Sequence, residues 1–246
     1  MDNTQLVNLS YQLAAYRSMD VIANNLANVS TPGFKRESTK FEEYISQNDP
    51  VEGDPSQQSL SFVQDGGTTR DLSQGNVVKT GGQFDLAIGG SGYFPVQTAS
   101  GAVRYTRDGH FTLDPSGKIV DSNGDSLQGD GGDITVSTED GDIHIGKDGV
   151  VTGAKGQLGQ VKVVNFANER ALVQEGQNLY STTQTANTVT TPDIQQGMLE
   201  SSNVSPVVEI SKMLEVMRSY QATATLSQSQ QQMKNNALDK LSAVQS

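Results

Sequence analysis

Cysteine and tryptophan are both absent from this chain of 246 residues, and histidine occurs only at positions 110 and 144. Without cysteine there is no disulfide, no thiolate nucleophile and no zinc–thiolate centre, and the redox compartment is left open. Long apolar runs are missing too. No stretch approaches the ~18 residues of a membrane span. The start Met1-Asp2-Asn3 is acidic and the first basic residue is Arg17, which does not read as a Sec signal peptide. If the protein leaves the cytoplasm, another route carries it. A basic excess is also lacking, since the net charge is −11. Residues 1–40 carry four basic and three acidic side chains, residues 41–200 nine and 22, and residues 201–246 four and three. All the excess acid therefore lies in the middle, which repels nucleic acid and anionic lipid. The near-neutral ends can pack against like copies.

Signals for chemistry are equally scarce. His110 and His144 both fall in strand-like runs, where a lone histidine reads as a surface or satisfied polar group. No G-x-S-x-G elbow occurs. The stretch Asp121-Ser122-Asn123-Gly124-Asp125 opens like a calcium loop, but Ser126 stands where glycine is needed and Gly132 where a bidentate glutamate should sit. It reads as an acidic hairpin turn. Pro115-Ser116-Gly117-Lys118 is no phosphate loop, because Thr112 occupies the first glycine position. No catalytic residue, metal site or cofactor follows from the sequence, and an enzyme is not indicated.

What is present divides into three zones. Leu6, Leu9, Leu13 and Tyr16 recur at helical spacing, and Met19, Ile22, Leu26 and Val29 continue after a one-position shift. That pattern predicts an amphipathic helix over about 4–28 with a narrow, coiled-coil-like stripe. From Val207 the positions Ile210, Leu214, Met217, Ala224, Met233, Ala237, Leu241 and Val244 repeat it, behind Pro206 and Ser205. The run Ser227-Gln228-Ser229-Gln230-Gln231-Gln232 has no apolar side chain, and that part of the helix is expected to face water or polar neighbours. Between the helices, short β-forming runs at 84–88, 102–106, 110–113, 118–120, 133–136, 142–145 and 160–166 are separated by turn pairs such as Asp108-Gly109, Asn123-Gly124 and Asp148-Gly149. Residues 46–75, rich in Gly, Ser, Gln and Asp, read as a loop or partly extended connector.

The expected fold is thus α+β: N- and C-terminal helices paired in a coiled-coil-like stalk with an inserted antiparallel all-β domain. Boundaries are expected at 1–40 for the first helix and turn, 41–79 for the connector, 80–200 for the β domain and 201–246 for the last helix. One stretch stands out, A-N-N-L-A-N-V-S-T-P-G-F-K at 23–35. Asn24, Asn25 and Asn28 weaken a helix and read as its end. Thr31-Pro32-Gly33-Phe34 then fits a type II turn.

That stretch resembles the N-terminal signature of flagellar rod and hook proteins, roughly A-N-N-x-A-N followed by T-x-G-F-K. L-E-S-S-N-V-S-P-V-V-E-I-S-K-M-L-E-V-M-R-S-Y at 199–220 is similar to the same family's C-terminal signature. G-G-Q-F-D-L-A-I-G-G-S-G-Y-F-P-V at 81–96 and Y-T-R-D-G-H-F-T-L-D-P-S-G-K-I-V at 105–120 are similar to the start of its β domain. Pro32, and Tyr93 within G-Y-F, depart from the pattern. The Met-Asp-Asn start and F-V-Q-D-G-G-T-T-R-D-L-S-Q-G at 62–75 look more like the proximal-rod type than the distal-rod type.

The resemblance implies a homo-oligomer in a helical array around an export channel, other flagellar rod proteins as partners, and export by the flagellar type III apparatus, with no nucleic acid and no membrane insertion. It implies assembly through Leu6, Leu9, Leu13, Tyr16, Ile22, Asn24, Asn25, Leu26, Asn28, Thr31, Gly33 and Phe34 at one end. At the other end it implies Ser202, Asn203, Val204, Val207, Ile210, Leu214, Met217, Arg218, Tyr220 and Leu241. The asparagines are expected to satisfy backbone at a subunit contact and Phe34 to anchor the turn in an apolar pocket. Two rival readings are a secreted β-rich carbohydrate-binding or hydrolytic module, poorly supplied by 6% aromatics without tryptophan, and a soluble adaptor working through its terminal helices.

Overall fold

The computed structural model describes residues 3–46 and 60–244, and the chain divides into two compact units. The first comprises the described residues of Met1–Ala27, Glu37–Thr69 and Ser205–Ser246; the second is Asn28–Arg36 with Arg70–Val204. In the first unit, helix α1 spans Asn3–Ala27 and helix α2 spans Pro206–Val244. Neither contains Gly or Pro after its first residue. Ser211, Thr223, Thr225 and Ser229 each give their hydroxyl to a carbonyl four residues back, so these polar side chains are satisfied within α2 itself. The helices run side by side and antiparallel. Gln5 donates to Gln231 at 3.2 Å, Asn8 to Gln230 at 3.5 Å, and Tyr11 meets Ser219.

Much of the sequence stripe faces outward in the single chain. Leu9, Leu13 and Tyr16 on α1 and Val207, Ile210, Leu214 and Met217 on α2 are all exposed, whereas Ala15, Val21 and Ile22 are buried. The described hydrogen bonds joining the helices use polar side chains, so the largest apolar groups are left facing outward.

The segment 41–79, expected as a connector, carries regular structure at both its ends. Strands β1 (Glu37–Ser46) and β2 (Leu60–Arg70) pair with each other within the first unit, and α1 packs against β1. Thr39, Phe41 and Tyr44 supply the β propensity that the Gly- and Ser-rich composition further along the segment hides. The middle of the expected loop, 47–59, lies outside the described residues.

The second unit holds strands β3 (Val77–Lys79), β4 (Leu86–Ile88), β5 (Phe94–Gln97), β6 (Val103–Thr106), β7 (Thr112–Leu113), β8 (Ile119–Val120), β9 (Ser126–Gly129), β10 (Gly132–Asp133), β11 (His144–Ile145), β12 (Val150–Gly153), β13 (Gly156–Gln160), β14 (Val164–Asn165), β15 (Val173–Gly176), β16 (Leu179–Ser181), β17 (Asn187–Thr188), β18 (Ile194–Gln196) and β19 (Met198–Glu200). The main sheet is ordered β15-β16-β6-β5-β9-β8-β7, with β10 on β9. β11-β12-β13 form a second sheet, and β14 with β17, β18 with β4 and β19 with β3 form pairs. Each described register in this unit is antiparallel.

One core gathers Leu86, Ile88, Phe94, Val96, Leu127, Val151 and Ile194 among others, and a smaller one stacks Tyr93, Phe166 and Tyr180. Many of the acids of this unit work at its turns. Asp71, Asp108, Asp114, Asp121 and Asp148 each accept the backbone amide two residues on. These are Asx turns, which use a carboxylate to hold a loop's own backbone. The acidity of the middle therefore comes in part from turn chemistry.

Candidate functional site

Residues 28–36, expected with the stalk, belong to the β unit and cross it as a strap. The Thr31–Phe34 turn closes through the Phe34 amide on the Thr31 carbonyl at 3.3 Å, with Gly33 at φ +69°. A Cβ on Gly33 would lie 2.4 Å from the Arg107 carbonyl carbon and 2.5 Å from the Asp108 nitrogen. Glycine is thus required twice, for its backbone angle and for its lack of bulk. Asn28 accepts from the Thr31 hydroxyl at 3.1 Å, and Asn178 gives its amide to the Pro32 carbonyl at 3.2 Å. Phe34 is 2% exposed.

The strap meets the end of β19. The Gly33 amide donates to the Glu200 carbonyl at 2.8 Å. Glu200 Oε1 accepts from Lys35 Nζ at 2.5 Å and from the Gly75 amide at 3.0 Å, and Oε2 accepts from Arg107 Nε at 3.0 Å. Arg107 also donates to the Gly92 and Gly90 carbonyls at 2.6 Å each, and Lys35 to the Ser73 carbonyl at 2.8 Å. Lys35, Glu200 and Arg107 are 3%, 2% and 6% exposed, so two cations share one carboxylate away from water. Burial pulls the Lys35 ammonium below its ordinary range, against the opposing pull of Glu200. Asn203 completes the joint: its Oδ1 accepts the Arg36 amide at 2.7 Å, while Nδ2 donates to the Asp71 and Ser73 carbonyls at 2.9 and 3.0 Å. Ser202 accepts the Val204 amide, and Val204 is buried.

In the helical unit the asparagines divide. α1 continues through Asn24 and Asn25 to Ala27, so these two do not end it. Asn25 is 0% exposed. Its Oδ1 accepts the Glu37 amide at 2.9 Å, and its Nδ2 donates to the Glu37 carbonyl at 2.7 Å and to Glu209 at 3.1 Å. The backbone that Asn25 satisfies therefore belongs to its own chain, where the sequence suggested a neighbour's. Asn24 is exposed.

The remaining residues implied by the resemblance spread along the two helices. Leu6, Leu26 and Tyr220 are half-buried, Ile22 is buried and Arg218 is exposed. Leu241 lies on α2, and its side chain is outside the described residues. Reading the sequence by apolar periodicity passed over Lys35, Arg107, Glu200 and Glu209. For three of them the signal was a charge placed within a family motif: the Lys of T-P-G-F-K, the Arg of Y-T-R-D-G and the Glu of L-E-S-S-N-V.

Two further features offer chemistry of their own. A recess of about 170 Å³ is lined by Lys35, Gln74, Tyr93, Arg107 and Glu169 among others, but the Lys35 and Arg107 cations on its wall already bind Glu200. His110 Nδ1 lies 2.7 Å from Asp85, and two residues before it in the chain the Asp108 carboxyl has its pKa pushed up to about 6 by burial. Among the described residues no group of three or more His, Asp or Glu is arranged to hold a metal ion. The strongest constellation in the molecule is structural, a pair of buried polar joints where the motifs at the two ends of the chain meet.

Comparison with known proteins agrees with that distribution. Residues 13–35 match the family described as flagella basal body rod protein, residues 87–153 the D1 domain of the flagellar hook proteins FlgE/F/G, and residues 195–240 the C-terminal part of the flagellar basal body rod FlgEFG proteins. The chain is 40% identical to the flagellar basal-body rod protein FlgF of Caulobacter vibrioides, over 99% of this chain and 100% of that one. It is 36% identical to FlgG of Buchnera aphidicola subsp. Acyrthosiphon pisum, over 83% and 86%. It is 32% identical to FlgG of Bacillus subtilis, over 85% and 87%.

Proposed function

The chain belongs to the flagellar basal-body rod protein family, and from that premise we propose that it is a structural subunit of the rod, of the FlgF, proximal-rod type. The end-to-end alignment with a FlgF protein, against shorter coverage with FlgG proteins, supports that type. In this reading copies assemble helically through α1 and α2, which pair in a coiled-coil-like stalk, into a hollow shaft that encloses the export channel and transmits torque. Its neighbours are further copies and other rod proteins. The flagellar type III apparatus delivers it to the periplasm-spanning rod of the basal body.

The observation that carries this reading is the outward apolar face of the helices. Leu13 and Tyr16 on α1 are 63% and 61% exposed, and Val207 on α2 is 72% exposed. An apolar stripe of this length on a helix calls for a partner, and assembly supplies one. Deleting the gene and isolating basal bodies tests the proposal. The expected result is non-motile cells whose basal bodies lack a complete rod, restored by a wild-type copy that co-purifies with the rods. Motile cells with complete rods in the deletion strain would overturn it.

A further inference from the structure

The β unit is completed by two segments that lie far apart in sequence, the strap at 31–36 and the stretch 198–203. We propose that Glu200 is a closing latch, which makes protection of the whole β unit conditional on both segments being seated together. The inference rests on the β unit alone and does not depend on the rod reading.

The geometry supplies the coupling. One carboxylate holds Lys35 of the strap, Arg107 beyond β6 and the Gly75 amide ahead of β3. Its own backbone carbonyl holds Gly33. Without the carboxylate, Lys35 and Arg107 become two buried cations with no shared counter-charge, an arrangement that folding does not tolerate. Each would have to reach water. Lys35 leaving pulls on Phe34 and Gly33, which are its neighbours in the strap. Arg107 leaving releases the Gly90 and Gly92 carbonyls, in the loop between β4 and β5. Those strands carry Leu86, Ile88, Phe94 and Val96, the centre of the larger core. Loss of one oxygen pair thus reaches the core through two routes.

The latch also orders events in time. When the chain is synthesised from N- to C-terminus, the strap emerges early and finds no partner until Glu200 follows. A partly synthesised chain therefore keeps its β unit open, and closure coincides with the emergence of the segment that leads directly into α2.

Hydrogen exchange on the purified full-length chain tests this, comparing wild type with Glu200→Gln, Glu200→Asp and Glu200→Gln combined with Lys35→Met. Glu200→Gln is expected to raise exchange by about two to three orders of magnitude at the strap and at β5 and β9 together, the scale of breaking a buried pair. Glu200→Asp keeps the charge and is expected to show the same pattern at a smaller factor; it carries the test if the Gln variant does not fold. Adding Lys35→Met removes the excess cation and is expected to return part of the protection to β5 and β9. Exchange raised only at Gly33–Arg36 and Gly75, with β5 and β9 as in wild type, would reduce Glu200 to a local contact and overturn the latch. Absence of any rescue by Lys35→Met would overturn the charge-based account.

Discussion

Gly33 gives its amide to the carbonyl of Glu200 at 2.8 Å, across 167 positions of sequence, and its α-carbon sits against the Arg107–Asp108 peptide with no room for a methyl group. Gly33→Ala must therefore distort the strap or push it off. The expected cost is about 2–3 kcal/mol from a left-handed angle plus a backbone clash. For a chain of this size that corresponds to a fall in Tm of roughly 5–10 °C. Thermal unfolding followed by circular dichroism checks it, and an unchanged Tm would show that the strap is not held as described.

Asn25 makes a different prediction, because its carboxamide faces a carboxylate. Asn25→Ala removes the bonds to Glu37 and leaves buried backbone unsatisfied, which is expected to cost about 1–3 kcal/mol. Asn25→Asp keeps the shape but sets a second buried carboxylate where Nδ2 now meets Glu209 at 3.1 Å. At pH 7 it is expected to cost more than the alanine change. Burial and Glu209 raise the new carboxyl's folded pKa, so its contribution to stability recovers as pH falls and the gap to alanine narrows by pH 5. Urea unfolding of both variants at the two pH values decides the order.

How much of this was legible beforehand depends on the kind of signal. The two helices, the β-rich middle and the turn at Thr31–Phe34 were written in periodicity and in Pro-Gly, which are local. The seam between α1 and α2 was not, because the stripe of Leu9, Leu13, Tyr16, Ile210 and Leu214 faces outward and polar pairs such as Asn8 and Gln230 join the helices. Periodicity reports that a face is apolar and says nothing about what covers it. Strands β1 and β2 were hidden because Gly66-Gly67 and the surrounding polar residues give the segment a loop's composition. The ion joint of Lys35, Arg107 and Glu200 depends on contacts 93 and 165 residues apart, which a single sequence does not encode locally.

Asp108 governs a pH effect. Burial raises its carboxyl from 3.8 to about 6, helped by Asp121 and Asp85 and opposed by the His110 amide. Between about pH 4 and pH 6 the folded chain therefore holds a proton that the unfolded chain has released, so this side chain makes stability fall as pH rises through that window. Asp108→Asn keeps an oxygen for the His110 amide and removes the ionisation. It is expected to be more stable than wild type at pH 7, by up to about 3 kcal/mol, with the difference shrinking towards pH 4. Unfolding free energies measured from pH 4 to 7 for both proteins test it; a constant difference would contradict the assignment.

The exposed helix faces predict a separation of stability from assembly. Leu13 and Ile210 are 63% and 47% exposed, so Leu13→Gln with Ile210→Gln removes little buried surface from the single chain. The expected change in unfolding free energy is within about 0.5 kcal/mol per site. Motility and rod incorporation are expected to be lost. A motile strain carrying both changes would mean that these faces do not meet a neighbour.

Limited proteolysis separates two descriptions of where the β unit ends. A β domain bounded at 80 and 200 would survive loss of the first 40 residues, whereas the observed unit needs the strap from 28 to 36 and the stretch to 204. Phe34 and Glu200, each 2% exposed, lie at its two extremities and carry its closing contacts. Cuts inside α1 and α2, whose apolar faces are open in a single chain, are expected to leave a resistant product that begins before Thr31 and ends after Asn203. Mass spectrometry fixes both ends of that product. If the stable fragment instead began near residue 80, the strap would contribute nothing to protection, and the buried joint of Lys35 with Glu200 would have to be dispensable for the β unit.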